Sequence, residues 1–246
     1  MQDFHAHLRD VLGAAVEAAQ SQPAGPERSF WAHRPKDNFP PQTIQSPDEY
    51  DGSDRLSIAC TQTELPAHAQ RELVERWCRF LPELQGVRYV WFQSKVTQEM
   101  FEAVCRVRGL EGLYVKWSSI DTIASIGEAG DLKYLHVGSS PGITDLSPLS
   151  TMDRLVWLEL DNLKTVADLT PLQGLGQLEG LGFTGPEGGR HGVQSFAPLA
   201  TLLRLRWLHL GAIRAADDSL RPLAALKDLR WLGVAKFFPW QEFAWL

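Results

Sequence analysis

One six-residue pattern, apolar-x-x-apolar-x-apolar, constrains this chain more than any other feature. It begins at Val87 (VRYVWF), Leu110 (LEGLYV), Leu132 (LKYLHV), Leu155 (LVWLEL), Leu178 (LEGLGF), Leu205 (LRWLHL) and Leu229 (LRWLGV), at start-to-start spacings of 23, 22, 23, 23, 27 and 24 residues. A fixed period of this length is the mark of a stacked array, in which each unit buries its apolar side against its neighbours. The fourth and sixth residues of each block are apolar and the fifth is free, the alternation of a short strand with one buried face. Seven such strands predict one parallel sheet.

The connecting segments carry a second signal. DLSPLSTMDRL, DLTPLQGLGQL, SFAPLATLLRL and SLRPLAALKDL each place proline before leucine, with apolar residues at three-residue steps leading into the next strand. Ser147 before Pro148 and Thr170 before Pro171 read as hydroxyl N-caps, followed by a residue whose missing N–H is not needed at the first helical position. The first connection, Thr97 to Gly109, reads as a true helix with a hydroxyl cap, apolar Phe101, Val104 and Val107, and a glycine stop. Most other connections are too short for a long helix, so short helical turns are expected on the back of the sheet.

Residues 87 to 236 resemble leucine-rich repeat proteins, in particular the bacterial internalin-like class with its short repeat and convex Pro-Leu turn. The resemblance implies an α/β fold: a solenoid with a curved parallel sheet, short helical turns on the convex side and an α/β N-terminal cap. It also departs from the family. The asparagine expected three residues after the last strand leucine is replaced by Lys95, Ser118, Ser140, Leu163, Pro186, Ile213 and Phe237. That asparagine pairs with backbone groups inside the turn, so another partner is needed, and Ser118 and Ser140 are the candidates. The signal peptide and wall anchor of secreted internalins, and the catalytic domain of bacterial ubiquitin ligases with such repeats, are not read in this sequence.

A solenoid needs caps. Residues 1 to 86 are expected to supply a helix from Phe4 to Gln20, an extended proline- and aromatic-rich segment over 21 to 56, and a capping unit. That unit comprises a strand at SIACTQ and an amphipathic helix with Leu73, Trp77 and Phe80 at helical spacing. Residues 237 to 246, rich in Phe and Trp, read as a C-terminal cap, with a docking or homodimer surface as the alternative.

Strand alternation turns the repeat into a surface map, because the third, fifth and seventh residues of each block face the concave side. Tyr89, Tyr134, Trp157, Trp207 and Trp231 occupy third positions; Trp91, Tyr114, His136, Glu159 and His209 occupy fifth positions; Lys116 and Asp161 occupy seventh positions, with Trp117 one beyond. Folding does not require aromatics on a solvated sheet face, whereas Trp and Tyr are over-represented at interface hot spots. Cross-strand pairing that merely stabilises the sheet is the plainer explanation. Cover by the linker or the tail is another. Gly112, Gly180 and Gly182 are expected to open gaps through which a partner approaches. The long fifth repeat adds a rim loop, TGPEGGRHGV, with Arg190 as a further contact.

Chemistry of other kinds finds little support. His5 and His7 lack a completing ligand pattern, Asp217 and Asp218 adjoin an expected helix start, and the three cysteines form neither a disulfide framework nor a zinc site. There is no phosphate loop or nucleophile elbow. A formal charge of −6 argues against nucleic acid, and no apolar run is long enough for a membrane span. The expectation is a cytoplasmic, non-enzymatic module without a cofactor. It would grip a protein or peptide on its aromatic face, in a neutralising (immunity-type) or regulatory role. The rival is a carbohydrate-binding or carbohydrate-modifying protein using the same platform, for which only Glu159 and Asp161 are placed between the aromatics.

Overall fold

The computed structural model describes residues 41–186, 189–235 and 237–246. The helix expected from Phe4 to Gln20, and the proline-rich segment up to residue 40, lie outside the described residues.

The seven repeat strands and two strands before them build one nine-stranded parallel sheet. Its strands are β1 (Thr43–Ile44), β2 (Arg55–Ile58), β3 (Tyr89–Phe92), β4 (Gly112–Val115), β5 (Tyr134–Val137), β6 (Trp157–Asp161), β7 (Gly180–Thr184), β9 (Trp207–Gly211) and β11 (Trp231–Val234), in that spatial order. The short strands β8 (His191–Val193) and β10 (Ile213–Ala215) pair with each other in a separate two-stranded sheet. β1 and β2 extend the sheet beyond the seven repeat strands, and β2 starts two residues before the expected SIACTQ.

Register follows the repeat. Leu113, Leu135, Leu158, Leu181, Leu208 and Leu232 stand side by side across adjacent strands. The first five are buried and Leu232 only partly so. Behind them, 3₁₀ turns at Ala124–Glu128, Ser147–Thr151, Thr170–Gly174, Ala197–Thr201 and Arg221–Ala225 each bury one apolar residue: Ile126, Leu149, Leu172, Leu199 and Leu223. The expected hydroxyl caps are corrected. Ser147 and Thr170 lie inside their turns, and the capping oxygens belong to Asp145 and Asp168, which accept the Ser147 and Thr170 N–H at 2.8 Å.

At the N-terminal end the helix α1 (Ala67–Phe80) buries Trp77, whose indole N–H donates to the Gln45 carbonyl at 2.8 Å. The helix α2 (Gln98–Cys105) starts at Thr97, whose hydroxyl accepts the Met100 N–H at 3.4 Å. Its inner face, including Phe101 and Val104, fills the space that short turns fill elsewhere.

The missing asparagine ladder is replaced by hydroxyls and one imidazole. The Ile120 N–H donates to Ser118 Oγ at 3.2 Å, Ser118 and Ser140 Oγ lie 2.7 Å apart, and Ser140 Oγ donates to the Gly138 carbonyl at 2.8 Å. Each hydroxyl has one proton, so the relay runs one way, with Ser118 donating to Ser140. Farther on, the buried His191 Nε2 donates to the Val166 carbonyl.

The tail departs from expectation. Phe238 is buried against Phe196, with ring centroids 5.8 Å apart. Glu242, in the short helix α3 (Trp240–Phe243), accepts from the Ser219 hydroxyl and the Leu220 N–H at 2.9 Å. Trp240, Phe243 and Trp245, expected to seal the last repeat, are instead exposed. The tail docks on the turn side through Phe238 and Glu242, so the other rings have no core within reach.

The open face of the sheet as a candidate functional site

The sheet face turned away from the leucine core carries the residues of the surface map, and their side chains bond mainly to one another. Trp157 and Trp207 stack with centroids 5.1 Å apart at 26°, and Trp207 and Trp231 with centroids 4.9 Å apart at 8°. Trp157 stands on β6 and Trp207 on β9, with Gly180 of β7 in register between them. Two strand steps span about 9.6 Å, so the rings meet only because Trp157 leans across β7. A Cβ on Gly180 would fall inside that indole.

The gap expected at Gly180 is therefore filled from within the chain, and Trp157, expected to be exposed, is 7% accessible. Gly182 is likewise flanked by Glu159 Cγ and the rim of Trp207. Trp207 is sandwiched between two indoles and half-buried, while Trp231, with one indole neighbour among the described residues, is 43% exposed.

Beside the ladder lies a polar cluster. Glu159 accepts from the Trp157 indole N–H at 2.6 Å and meets His136 Nδ1 at 3.0 Å; His136 Nε2 lies 3.5 Å from Asp161. Tyr114 stacks on the other side of His136, with centroids 4.4 Å apart. Burial pushes the Glu159 carboxyl up, but the hydrogen bonds and charge of His136 and the Trp157 N–H outweigh it, leaving the carboxyl below its ordinary value. Asp161 is held above its ordinary value, chiefly by burial and further by Glu159, against the opposing pull of His136. Desolvation pushes the Tyr114 phenol up to about 12. His136 is a further correction: it is buried and engaged on both ring nitrogens, so it props the carboxylates from within the face.

The remaining candidates divide by place. Trp91 is fully buried beside Tyr89, at 6.4 Å between centroids and in register with Ser57 and Tyr114, so it offers a partner no surface. Tyr89 and Tyr134 are half-buried on the face. Trp117 lies at the N-terminal end, its N–H donated to Gln62 Oε1 at 2.7 Å and Lys116 Nζ 4.5 Å over its ring. Arg190 stands away from the ladder, stacked 4.6 Å over Phe237.

Sequence reasoning missed a simple signal. His136 and Gly138, His209 and Gly211, and Trp231 and Gly233 share one spacing, and a Cβ at each glycine would crowd the ring two residues earlier. These glycines let the ring lie along its own strand. His209 thereby settles alongside the Trp207–Trp231 stack, at 5.9 and 5.7 Å from the two rings, with its Nδ1 buried and unbonded among the described residues.

No family model matches the sequence, and no curated protein matches it. Among solved structures, internalin C2 of Listeria monocytogenes is similar with a TM-score of 0.53 at 21% identity, over 65% of this chain and 72% of that one. The fold is a leucine-rich repeat solenoid. A second Listeria monocytogenes internalin, inlF, is 15% identical over 73% of this chain and 52% of its own, with a TM-score of 0.43. The leucine-rich repeat ectodomain of an Arabidopsis thaliana receptor kinase, GASSHO1/SCHENGEN3, solved with Casparian strip integrity factor 2, is 16% identical over 61% of this chain, with a TM-score of 0.46. This chain spans about half of inlF and 18% of the receptor chain. Among the described residues of the leucine-rich repeat unit, no group of three His, Cys, Asp or Glu is arranged to hold a metal ion, and no helix is long and apolar enough to cross a membrane.

Proposed function

We propose that this leucine-rich repeat unit is a protein-interaction module that receives a protein or peptide on its open sheet face, in a neutralising or regulatory role. The observation that carries the reading is the tryptophan ladder. Trp157 at its inner end is buried and braces the sheet, but the ladder runs on past it to a ring held by stacking and left accessible at Trp231. Rigid aromatic anchors lose little conformational freedom on binding, which is why such residues dominate hot spots. Glu159 and Asp161 add acidic character beside the ladder, which favours a partner with basic groups facing them. The cysteines at 60, 78 and 105 are all free thiols, which accords with the reducing cytoplasm.

The experiment is affinity capture from cells of the source organism, identification of the captured protein, and calorimetric titration of the purified pair. Trp231→Ala should weaken binding by about thirtyfold or more, an interface loss of about 2 kcal/mol, while its exposed position keeps the melting temperature nearly unchanged. Unchanged affinity for both Trp231→Ala and Trp207→Ala would show that the partner binds elsewhere.

A further inference from the structure

The edge of β11 is an unfilled position in a series. The carbonyls of Asp54, Arg88, Glu111, Lys133, Val156, Glu179 and Arg206 each accept two N–H groups from the next strand, the last from Arg230 and Trp231 at 2.8 and 3.0 Å. The equivalent carbonyl one repeat on belongs to Arg230, and among the described residues no backbone N–H reaches it. β11 ends the strand order, so its outer N–H and C=O groups form an open ladder.

Three side-chain series stop at the same place. The leucine column ends at Leu232, which with Val234 is only partly buried, whereas the matching Leu208 and Leu210 of β9 are fully so. The indole ladder ends at Trp231. A charge ladder runs through the residues just before the strands: Glu111 pairs with Arg88 and with Lys133, each at 3.0 Å, and Glu179 pairs with Arg206 at 3.6 Å. Arg230, next in line, follows Arg206 with no acid beside it among the described residues. The tail leaves this edge uncovered, because Phe238 and Glu242 hold it on the turn side.

We propose that the β11 edge binds an extended segment of a partner protein as a tenth, parallel strand. The segment carries an acidic residue opposite Arg230, then an aromatic residue over Trp231, then apolar residues alternating into the Leu232 and Val234 columns. Each requirement continues a ladder already in the molecule. The main chain supplies hydrogen bonds, and the side chains at alternate positions supply selectivity. This surface meets the open face at Trp231 and adds the strand edge, Arg230 and the Leu232 and Val234 columns, which the function proposed above does not use, so the Arg230 variant tests it separately from that function.

The test uses the full chain and three fluorescently labelled peptides: SLEWLTVSNK, which fits the pattern, SLKWLTVSNK, with the charge reversed, and SLEWDTVSNK, with an acid in the leucine column. Fluorescence anisotropy should show saturable binding of the first, at least tenfold tighter than either control. Arg230→Glu, at an exposed position, should reverse the preference between the first two. No saturation of the first peptide by about 1 mM protein, the weak end of the affinity scale, or equal binding of all three, overturns the proposal. So does a dimer in sedimentation velocity that the first peptide fails to dissociate, because a second copy of the chain would then occupy the edge.

Discussion

The indole of Trp157 lies over the bare backbone of Gly180, one strand away in register, and reaches Trp207 on the strand beyond, with ring centroids 5.1 Å apart. This relationship ties three repeats together on the side of the sheet opposite the leucine core. It also makes Trp157 a structural residue.

Gly180→Ala should therefore be destabilising, although its backbone needs no left-handed conformation. The new methyl would occupy the space of the Trp157 ring and force it aside, at a cost of about 1 to 3 kcal/mol. A chemical denaturation curve superimposable on the wild type would contradict the packing described.

Leu158 sits fully buried in the middle of the leucine column, between Leu135 and Leu181. Leu158→Ala should cost about 2 to 5 kcal/mol. Equilibrium unfolding in urea measures it, and a loss below 1 kcal/mol, about the net value of one hydrogen bond, would argue against a shared core.

The serine relay should behave as a unit. Ser118→Ala and Ser140→Ala each strand a buried polar group, at about 1 to 3 kcal/mol, and the double mutant should cost less than the sum. A strictly additive double-mutant cycle would show that the two hydroxyls are uncoupled.

Asp161 and Glu159 should respond to pH in opposite senses. The Asp161 carboxyl titrates above its ordinary value in the folded chain, so its contribution favours folding at low pH and is lost as pH rises through that folded value. Asp161→Asn should therefore melt slightly higher than wild type at pH 7, by less than about 1 kcal/mol given its partial exposure, and the gap should close on acidification. Glu159 is depressed: its contribution is present above the ordinary carboxyl range and is lost as pH falls through the folded value. Glu159→Gln should melt lower than wild type at pH 7, and a higher melting temperature would refute this assignment.

Within the tail, Phe238→Ala should cost about 3 to 5 kcal/mol, because its ring is buried against Phe196. Trp240→Ala, at 76% exposure, should stay within about 0.5 kcal/mol of wild type. Equal effects in thermal melts would mean that the tail is seated differently.

The repeat architecture could be read from the chain because its signal is local. Leu135, Leu158, Leu181 and Leu208 each follow from the alternation within one block, and Thr97 announces its helix. What escaped reading depends on relations between blocks. Trp157 was assignable to the open face, and the alignment of the blocks puts it opposite Gly180, but whether its ring stands up or lies across that glycine is set by its side-chain torsions and its packing on Trp207. The spacing of the blocks does not specify those. The pairing of β8 with β10 was hidden in the same way, since His191–Val193 and Ile213–Ala215 are too short to stand out until the long fifth repeat brings them side by side. Asp145 and Asp168 were overlooked as caps because the hydroxyls beside the prolines offered a more familiar pattern.

The stacked indoles also give the molecule a built-in optical ruler. The two couples depend on separations of 5.1 Å (Trp157–Trp207) and 4.9 Å (Trp207–Trp231), so each vanishes when its own pair parts. A solenoid opens most easily from its ends, where each unit has one neighbour instead of two. Loosening of the last repeat would break the Trp207–Trp231 couple while Trp157 and Trp207 stay together. The near-ultraviolet circular dichroism of this chain should therefore decay in steps on gentle heating, and the steps would report the order in which the final repeats let go.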